Sequence, residues 1–305
     1  MKTESYTTTN INEADAVTHA GVFHADDVFA TVILNRALGG VKVLRTNEVP
    51  EDLPKDVIVF DIGEGKYDHH GLAQVDRSNG VPYAACGKIW RDFGFEIKEI
   101  KDCKNSILAY QILNEGLIQG IDAADNGKMP MSEYPVQELG IYKMISQFNP
   151  NWNEELSSDE CFEKACEFAD TVFENALAEA VARADSYELV DEAISKSNNG
   201  IMVFENGYVP FEDLTIISAN PKAPGVCFAV YPSSRQDWAC KAVPDKKGGK
   251  GQRKSLPEEW RGLSGEELQR LTGVKTAVFC HPKRFMCTAQ TREDAIKLAK
   301  LAMAK

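Results

Sequence analysis

Four of the five histidines in this 305-residue sequence lie within 52 residues of one another, in two short segments that also carry aspartates. The first segment, residues 18–27, reads THAGVFHADD, and the second, residues 61–70, reads DIGEGKYDHH. Imidazole and carboxylate groups are the ligands that suit Mn, Fe, Co or Zn when no thiolate takes part. A single histidine is usually an ordinary polar residue, but this combination of histidines and aspartates predicts a metal site.

Both segments follow runs that are typical of β-strands. Residues 16–18 favour a short strand, and residues 57–60 are continuously apolar before Asp61 closes the run. Because loops at the carboxyl ends of parallel strands converge on one crevice, we expect the two segments to meet in space. Asp61, at the end of an apolar strand, is well placed to bridge two ions.

The elements around these segments predict an α/β fold. In the first 65 residues, a helix-like run over 28–38 stands between strand-like runs and ends at Gly39-Gly40, which indicates βαβ units with a parallel sheet flanked by helices. Further helices are expected over 84–93, 106–118 and 293–304, and a long one, interrupted near Ser186, over 158–197. Strand-like runs follow at 201–204, 214–217, 226–231 and 238–243.

The length predicts two domains, at roughly 100–200 residues per domain. We predict an N-terminal catalytic, metal-binding domain over residues 1–157 and a helical linker over 158–199. A smaller C-terminal α+β domain that binds the substrate would occupy residues 200–305.

Composition excludes several classes of protein. No apolar run approaches the roughly 20 residues that span a bilayer, and residues 1–12 are polar and do not form a signal peptide. The eight cysteines form no C-x-x-C pair, which argues against a zinc ribbon or a redox dithiol. We therefore expect a cytoplasmic protein with reduced thiols and no membrane partner.

Charge limits how the chain can bind phosphates. Its net charge is −12 and its pI is about 5.0, so it has no general basic surface for nucleic acid. Bound cations or a local basic patch must supply the positive field. The most basic stretch is residues 245–254, which could close over a nucleic-acid backbone or be a solvated surface hairpin.

The triplet Asp68-His69-His70, preceded by a strand ending in Asp61 and an earlier His/Asp segment, resembles the DHH phosphoesterase superfamily. More narrowly, the sequence resembles the Myg-type exonuclease family, also described as uncharacterised metal-dependent hydrolases. The matching motifs run from about residue 18 to residue 297 and include residues 18–26, 67–70, 121–127, 148–152, 243–244, 257–263 and 291–295.

The resemblance implies two divalent ions, most simply Mn²⁺, with Mg²⁺, Co²⁺, Fe²⁺ or Zn²⁺ as alternatives. It implies that His19 and His24 hold one ion, with Asp125 or, alternatively, Asp122 completing its shell. The other ion would be held by Asp26 and His69, and Asp61 would bridge the two ions.

The resemblance also implies roles in binding the substrate. His70 would face the substrate phosphate rather than a metal, and Asp68 would orient a histidine through its ring N–H. We predict that Arg261, His281 and Arg284 of the C-terminal domain contact the phosphate, with ordinary surface positions as the alternative.

Three functions are consistent with the sequence. The first is a metal-dependent 3′→5′ exonuclease, or related phosphodiesterase, acting on RNA or short oligonucleotides. The second is a hydrolase of small phosphorylated molecules such as pyrophosphate or a dinucleotide, which the acidic pI favours. The third is a catalytically idle protein that binds a metal or nucleotide. The sequence leaves open whether the protein forms a homo-oligomer.

Overall fold

The computed structural model describes residues 5–71, 75–129 and 139–305. The chain forms two compact units, Met1–Ala184 and Asp185–Lys305. Both units combine β-sheet with helices, and the sheet of the first is parallel throughout. The predicted α/β class is therefore confirmed.

The first unit is built on a four-stranded sheet. Its strands are β1 (Thr7–Thr8), β2 (Ala16–His19), β3 (Val43–Thr46) and β4 (Ile58–Val59). They lie in the order β1-β3-β2-β4, and every neighbouring pair is parallel. The first three residues of β2 are buried, as expected for a strand of a parallel sheet that is covered on both faces.

Seven helices are described in the first unit. They are α1 (Ala25–Leu38), α2 (Ala85–Phe93), α3 (Lys98–Lys101), α4 (Ser106–Leu113), α5 (Gln119–Asp125), α6 (Ile141–Ser146) and α7 (Ser158–Asp185). A π-helical segment, Asn114–Ile118, joins α4 to α5. Helix α1 is apolar on nearly every face and is buried from Ala25 to Leu34, so it forms the centre of the unit. It ends where Gly39 adopts the left-handed conformation (φ +76°), as predicted.

Helix α7 begins where the helical linker was predicted, but it packs into the first unit. Phe162, Phe173 and Leu177 on one face of α7 belong to the same hydrophobic core as Phe29 and Trp90. The boundary between the two units therefore falls inside the predicted linker, after Ala184. The assignment of residues 158–199 as a linker stays a prediction.

The second unit contains a mixed five-stranded sheet. Its strands are β5 (Ile201–Val203), β6 (Phe228–Pro232), β7 (Trp238–Ala242), β8 (Ala277–Cys280) and β9 (Met286–Ala289), in the order β5-β6-β7-β9-β8. Strands β5 and β6 are parallel, and the other neighbours are antiparallel. Its helices are α8 (Tyr187–Ser195), α9 (Glu212–Ile217), α10 (Gly265–Thr272) and α11 (Arg292–Ala304).

The strand predicted over residues 214–217 is wrong, because these residues belong to helix α9. Glu212 and Asp213 occupy the first turn of this helix, where acidic side chains are favourable. The break predicted near Ser186 is present, between α7 and α8. Among the described residues, no helix combines the length and apolar character needed to cross a membrane.

Candidate metal centre

The centre begins at the carboxyl ends of two neighbouring parallel strands. Strand β2 pairs with β4, and the pairing continues past β4 because the Phe60 N–H donates to the Val17 carbonyl over 3.0 Å. His19 at the end of β2 and Asp61 just after β4 therefore emerge side by side. Asp61 has φ +56°, an uncommon conformation for a non-glycine residue that is concentrated at functional sites.

Asp61 lies between two histidines. Its Oδ2 is 3.3 Å from His19 Nε2, and its Oδ1 is 3.2 Å from His69 Nδ1. Each carboxylate oxygen thus faces a different imidazole, while the side chain is only 3% exposed. This arrangement matches what a carboxylate that bridges two ions requires.

The first turn of α1 adds two buried carboxylates. Asp26 accepts a hydrogen bond from the Ala85 N–H at the start of α2, over 2.9 Å. Asp27 uses Oδ1 to accept the His24 N–H, over 2.9 Å, and its Oδ2 lies 3.3 Å from His19 Nε2. The N-terminus of α1 stabilises both negative charges through the helix dipole.

Helix α5 supplies Asp125, whose Oδ2 lies 2.8 Å from His69 Nε2. Asp122, one turn earlier, is fully buried and is engaged elsewhere: it pairs with Arg77 and accepts the Gly87 N–H over 2.8 Å. Of the two predicted alternatives, the geometry therefore favours Asp125 as a ligand, and Asp122 holds α5 against α2.

Within the described residues, the side chains that could hold an ion form three overlapping groups. They are His19, Asp27 and Asp61; Asp26, His69 and Asp125; and Asp61, Asp68, His69 and His70. Asp125 is thus grouped with Asp26 and His69, whereas the resemblance implies that it shares an ion with His19 and His24. Asp27, whose carboxylate lies beside His19, was not among the predicted ligands.

His24 lies outside these three groups of described residues. Its side chain is exposed at the start of α1, and its ring centroid is 6.2 Å from that of His19. It nevertheless lines the cavity beside the centre. Its role as a metal ligand stays a prediction.

The electrostatics of the centre favour a bound cation. Burial raises the pKa of the Asp27 carboxyl to about 7, and burial together with the charges of Asp61 and Asp125 raises the pKa of Asp26. Burial also opposes the charged form of His19, but the hydrogen bond to Asp61 and the charge of Asp27 raise the pKa of that histidine to about 9. Without a metal, protons on the histidines and on the buried carboxyl groups therefore offset the negative charge of the centre.

Four buried atoms of the centre also make no hydrogen bond of acceptable geometry within the described residues, although Asp61 Oδ1 and His69 Nδ1 lie 3.2 Å apart. They are Asp26 Oδ1, Asp27 Oδ2, Asp61 Oδ1 and His69 Nδ1. An unsatisfied buried polar atom costs about 1–3 kcal/mol, which a coordinated ion would remove. The residues present therefore fit divalent metal ions.

Asp68 contacts His70, and the roles that the resemblance implies for both residues stay predictions. Asp68 Oδ1 lies 2.8 Å from His70 Nδ1 and also accepts the His70 N–H over 3.0 Å. The buried Lys88 ammonium donates a hydrogen bond to the Asp68 backbone carbonyl and so helps to hold the same loop. The His70 side chain is 61% exposed, so its ring remains accessible to a substrate.

A cavity of about 410 Å³ opens beside these histidines. Its lining includes His69, His70 and Asp125, together with Lys143 and Ser146 of α6. The candidate ligands His69 and Asp125 therefore border a cavity whose wall also contains a lysine.

The predicted phosphate contacts Arg261, His281 and Arg284 all lie in the second unit. Arg261 and Arg284 both pair with Glu258, at 3.1 and 3.0 Å. His281 Nδ1 accepts the Lys283 N–H over 3.0 Å. Their roles in substrate binding stay predictions.

A protein-family model matches nearly the whole chain. MYG1_exonuc, described as "Uncharacterised protein family (UPF0160)", matches residues 15–303. The chain belongs to this family. A MYG1 protein of Schizosaccharomyces pombe is 28% identical over 325 residues, covering 96% of this chain and 98% of its own length. The human protein named MYG1 exonuclease is 26% identical over 330 residues, covering 94% of this chain and 85% of its own length.

Among solved structures, RecJ from Thermus thermophilus, in complex with Mg²⁺, is similar to this chain. The similarity covers 96% of this chain and 50% of RecJ, at 10% identity and a TM-score of 0.27. This chain thus spans about half the length of RecJ, and a TM-score this low establishes no common architecture. The implied place in the DHH superfamily stays a prediction.

The first unit of this MYG1-family chain contains further residues in or near the candidate metal centre that were not predicted from the sequence. Asp27 directly follows the predicted ligand Asp26, and that adjacency was the only available signal. Arg77 and Lys88 are buried cations that offset the aspartates, and Lys143 lines the cavity. These three basic residues lie outside the motifs and became visible only in three dimensions.

Proposed function

We propose that this chain is a metal-dependent phosphodiester hydrolase that removes nucleotides from the 3′ end of RNA or short oligonucleotides, with two divalent ions bound. The observation that carries the proposal is the position of Asp61, which presents one carboxylate oxygen to His19 and the other to His69. The naming of mammalian relatives as exonucleases supports a nucleic-acid substrate.

Five side chains and one bridging carboxylate would hold the ions. We assign His19 and Asp27 to one ion, and Asp26, His69 and Asp125 to the other, because these are the groups whose ligand atoms converge. Asp61 belongs to both sites. The nitrogen and oxygen donors suit Mn²⁺, Co²⁺, Fe²⁺ or Zn²⁺ better than a metal that requires thiolates.

When bound, such ions lower the pKa of a coordinated water and neutralise charge on the phosphate oxygens. The chain contributes the remaining interactions. His70, held by Asp68, is positioned to donate a hydrogen bond to a phosphate oxygen in the cavity. Lys143 adds a positive charge to the cavity wall, and Arg77 keeps α5 in place by binding Asp122.

A second candidate is hydrolysis of a small phosphorylated molecule such as pyrophosphate or a dinucleotide. The charge of the first unit favours it. Residues 1–184 contain 31 acidic and 16 basic side chains, an excess of negative charge that disfavours a long polyanion. The cavity volume of about 410 Å³ also suits a small ligand.

One experiment separates these functions. Protein loaded with Mn²⁺ is incubated with 5′-end-labelled RNA, a labelled dinucleotide and pyrophosphate, and the Asp61→Asn variant serves as the control. Progressive shortening of the RNA from its 3′ end supports the proposal. Immediate release of the labelled 5′ nucleotide would contradict the direction. Cleavage of only the small substrates would favour the second candidate, and no cleavage of any would favour an idle binding protein.

A further inference from the structure

Trp152 is the most exposed large hydrophobic residue among those described, with 97% of its surface accessible. Trp90 and Trp260, by contrast, are each 1% exposed. Trp152 therefore contributes no packing within its own unit. Tryptophan is enriched at binding surfaces, because its ring offers a large apolar face and its N–H a polar contact.

The backbone that carries Trp152 is closed into a tight turn. The Glu154 N–H donates to the Asn151 carbonyl over 3.0 Å. The Glu154 carboxylate in turn accepts the Asn151 backbone N–H and its side-chain amide, both over 2.9 Å. Trp152 is the second residue of this turn, so the turn presents it outward on a backbone that is already ordered.

The chain just before this turn is hydrogen-bonded to the residue that precedes His24. The Asn149 side chain accepts the Phe23 N–H over 3.0 Å and donates to the Phe23 carbonyl over 2.9 Å. Phe23 directly precedes His24, which lines the cavity. Trp152 is three residues from Asn149, so its Cα lies within about 11 Å of the Cα of Asn149.

The same stretch of chain reaches the cavity from its other end. Helix α6 supplies Lys143 and Ser146 to the cavity wall, and Asn149 follows α6 after two residues. One continuous segment, residues 143–152, therefore runs from the cavity that borders the candidate ligands to the exposed indole.

We propose that Trp152 is a stacking platform for a base of a single-stranded nucleic acid whose phosphate occupies the cavity. This inference rests on the proposed function. The first unit has an excess of aspartate and glutamate, so its side chains supply little positive charge to a nucleic-acid backbone outside the proposed ions. A stacking contact is uncharged and sequence-tolerant, and it is worth about 1–3 kcal/mol per base. It therefore supplies affinity that this acidic surface does not.

The test measures binding of a phosphorothioate-linked, single-stranded oligouridylate that resists cleavage, in Mn²⁺. The variants are Trp152→Phe and Trp152→Leu, and the matched control is Tyr208→Leu, which removes a 53% exposed aromatic residue from the second unit. We expect the leucine variant to weaken binding about 5- to 150-fold, the equivalent of 1–3 kcal/mol. The phenylalanine variant should retain most of the affinity, and Tyr208→Leu should bind like wild type.

Tryptophan fluorescence gives a readout that does not depend on turnover. Binding of the oligonucleotide should quench the emission of wild-type protein, and this quenching should be lost in Trp152→Phe. Metal content should be the same in all variants, because Trp152 is not one of the proposed metal ligands. An oligonucleotide with abasic sites should bind wild type as weakly as the intact one binds Trp152→Leu.

Two failures can be told apart. If wild-type protein shortens end-labelled RNA but the leucine variant binds the oligonucleotide with unchanged affinity, the stacking role is wrong and the proposed function stands. If wild-type protein neither binds the oligonucleotide nor shortens RNA, the proposed function itself is wrong, and the stacking role falls with it.

Discussion

Replacing Gly87 by alanine tests how the Asp122–Arg77 pair supports the centre. Gly87 lies in the first turn of α2, and its N–H donates to Asp122 Oδ1. A Cβ added here would overlap Asp122 Oδ2 and lie 2.7 Å from Asp122 Cγ. Asp122 is fully buried and cannot move away without leaving Arg77. The methyl group must therefore displace the carboxylate and break the pair.

The expected magnitude combines two opposing effects. Alanine is favoured over glycine in a helix by about 1 kcal/mol. Breaking a buried ion pair costs about 3–5 kcal/mol, and both side chains here are at most 6% exposed. We therefore expect Gly87→Ala to lower the free energy of unfolding by about 2–4 kcal/mol, against the direction that helix propensity predicts.

The matched control is Gly120→Ala. Gly120 is exposed in α5, and a Cβ there meets no atom within 4 Å. That substitution should raise the free energy of unfolding by about 0.5–1 kcal/mol. Urea denaturation followed by tryptophan fluorescence measures both. Since Asp122 and Asp125 lie three residues apart on α5, Gly87→Ala should also weaken Mn²⁺ binding in a metal titration. A Gly87→Ala variant as stable as Gly120→Ala would refute the role given to the Asp122–Arg77 pair.

Three further predictions concern the ligands and their protons. Asp61→Asn should lower the hydrolysis rate by several orders of magnitude, because a neutral amide cannot neutralise two ions. Circular dichroism should show an intact fold. Turnover near the wild-type rate would exclude the bridging role. His69→Ala should lose bound metal, as measured by elemental analysis. His70→Ala should keep its metal and lose about 10²–10³ in kcat. Equal metal loss in the two variants would show that both histidines are ligands. In metal-free protein, the pKa values of His19 and His69 are raised to about 9, so their contribution to stability is complete below the unfolded value near 6.5 and is lost as pH rises through 9. The urea midpoint should therefore fall from pH 6.5 to 9.5, and a midpoint that rises over this range would contradict the assignment.

The meeting of the two histidine segments was predictable from the sequence, because it depends on strand order alone. Asp61 and His19 end strands of one parallel sheet, and such ends share an edge. The choice of Asp26 over its neighbour was harder. Asp26 and Asp27 are adjacent in the first turn of a helix that is buried on all sides, so burial does not separate them. Only the position of His19 reveals that Asp27 also faces the centre.

Short apolar runs set the limit of the fold prediction. Three of residues 214–217 are β-branched and three are apolar, but four residues do not distinguish a period of 2 from one of 3.6. The helix α9 is instead specified by its surroundings, since Thr215 bonds back to the Phe211 carbonyl with both its N–H and its hydroxyl. The buried cations Arg77 and Lys88 were missed for a related reason, because nothing in their local sequence signals burial.

The hydrogen bonds between Asn149 and Phe23 join residues that are 126 positions apart. Glu163 likewise holds the Tyr6 and Thr7 N–H groups at the opposite end of the unit. During synthesis at about 5–20 residues per second, the loop that carries His24 therefore waits about 6–25 s for Asn149 to be made. During that interval Asp26 and Asp27 have been synthesised, but the hydrogen bonds between Asn149 and Phe23 have not yet formed. A nascent chain released before residue 149 would carry most of the candidate ligands. It would lack the Asn149 side chain that binds the loop before His24.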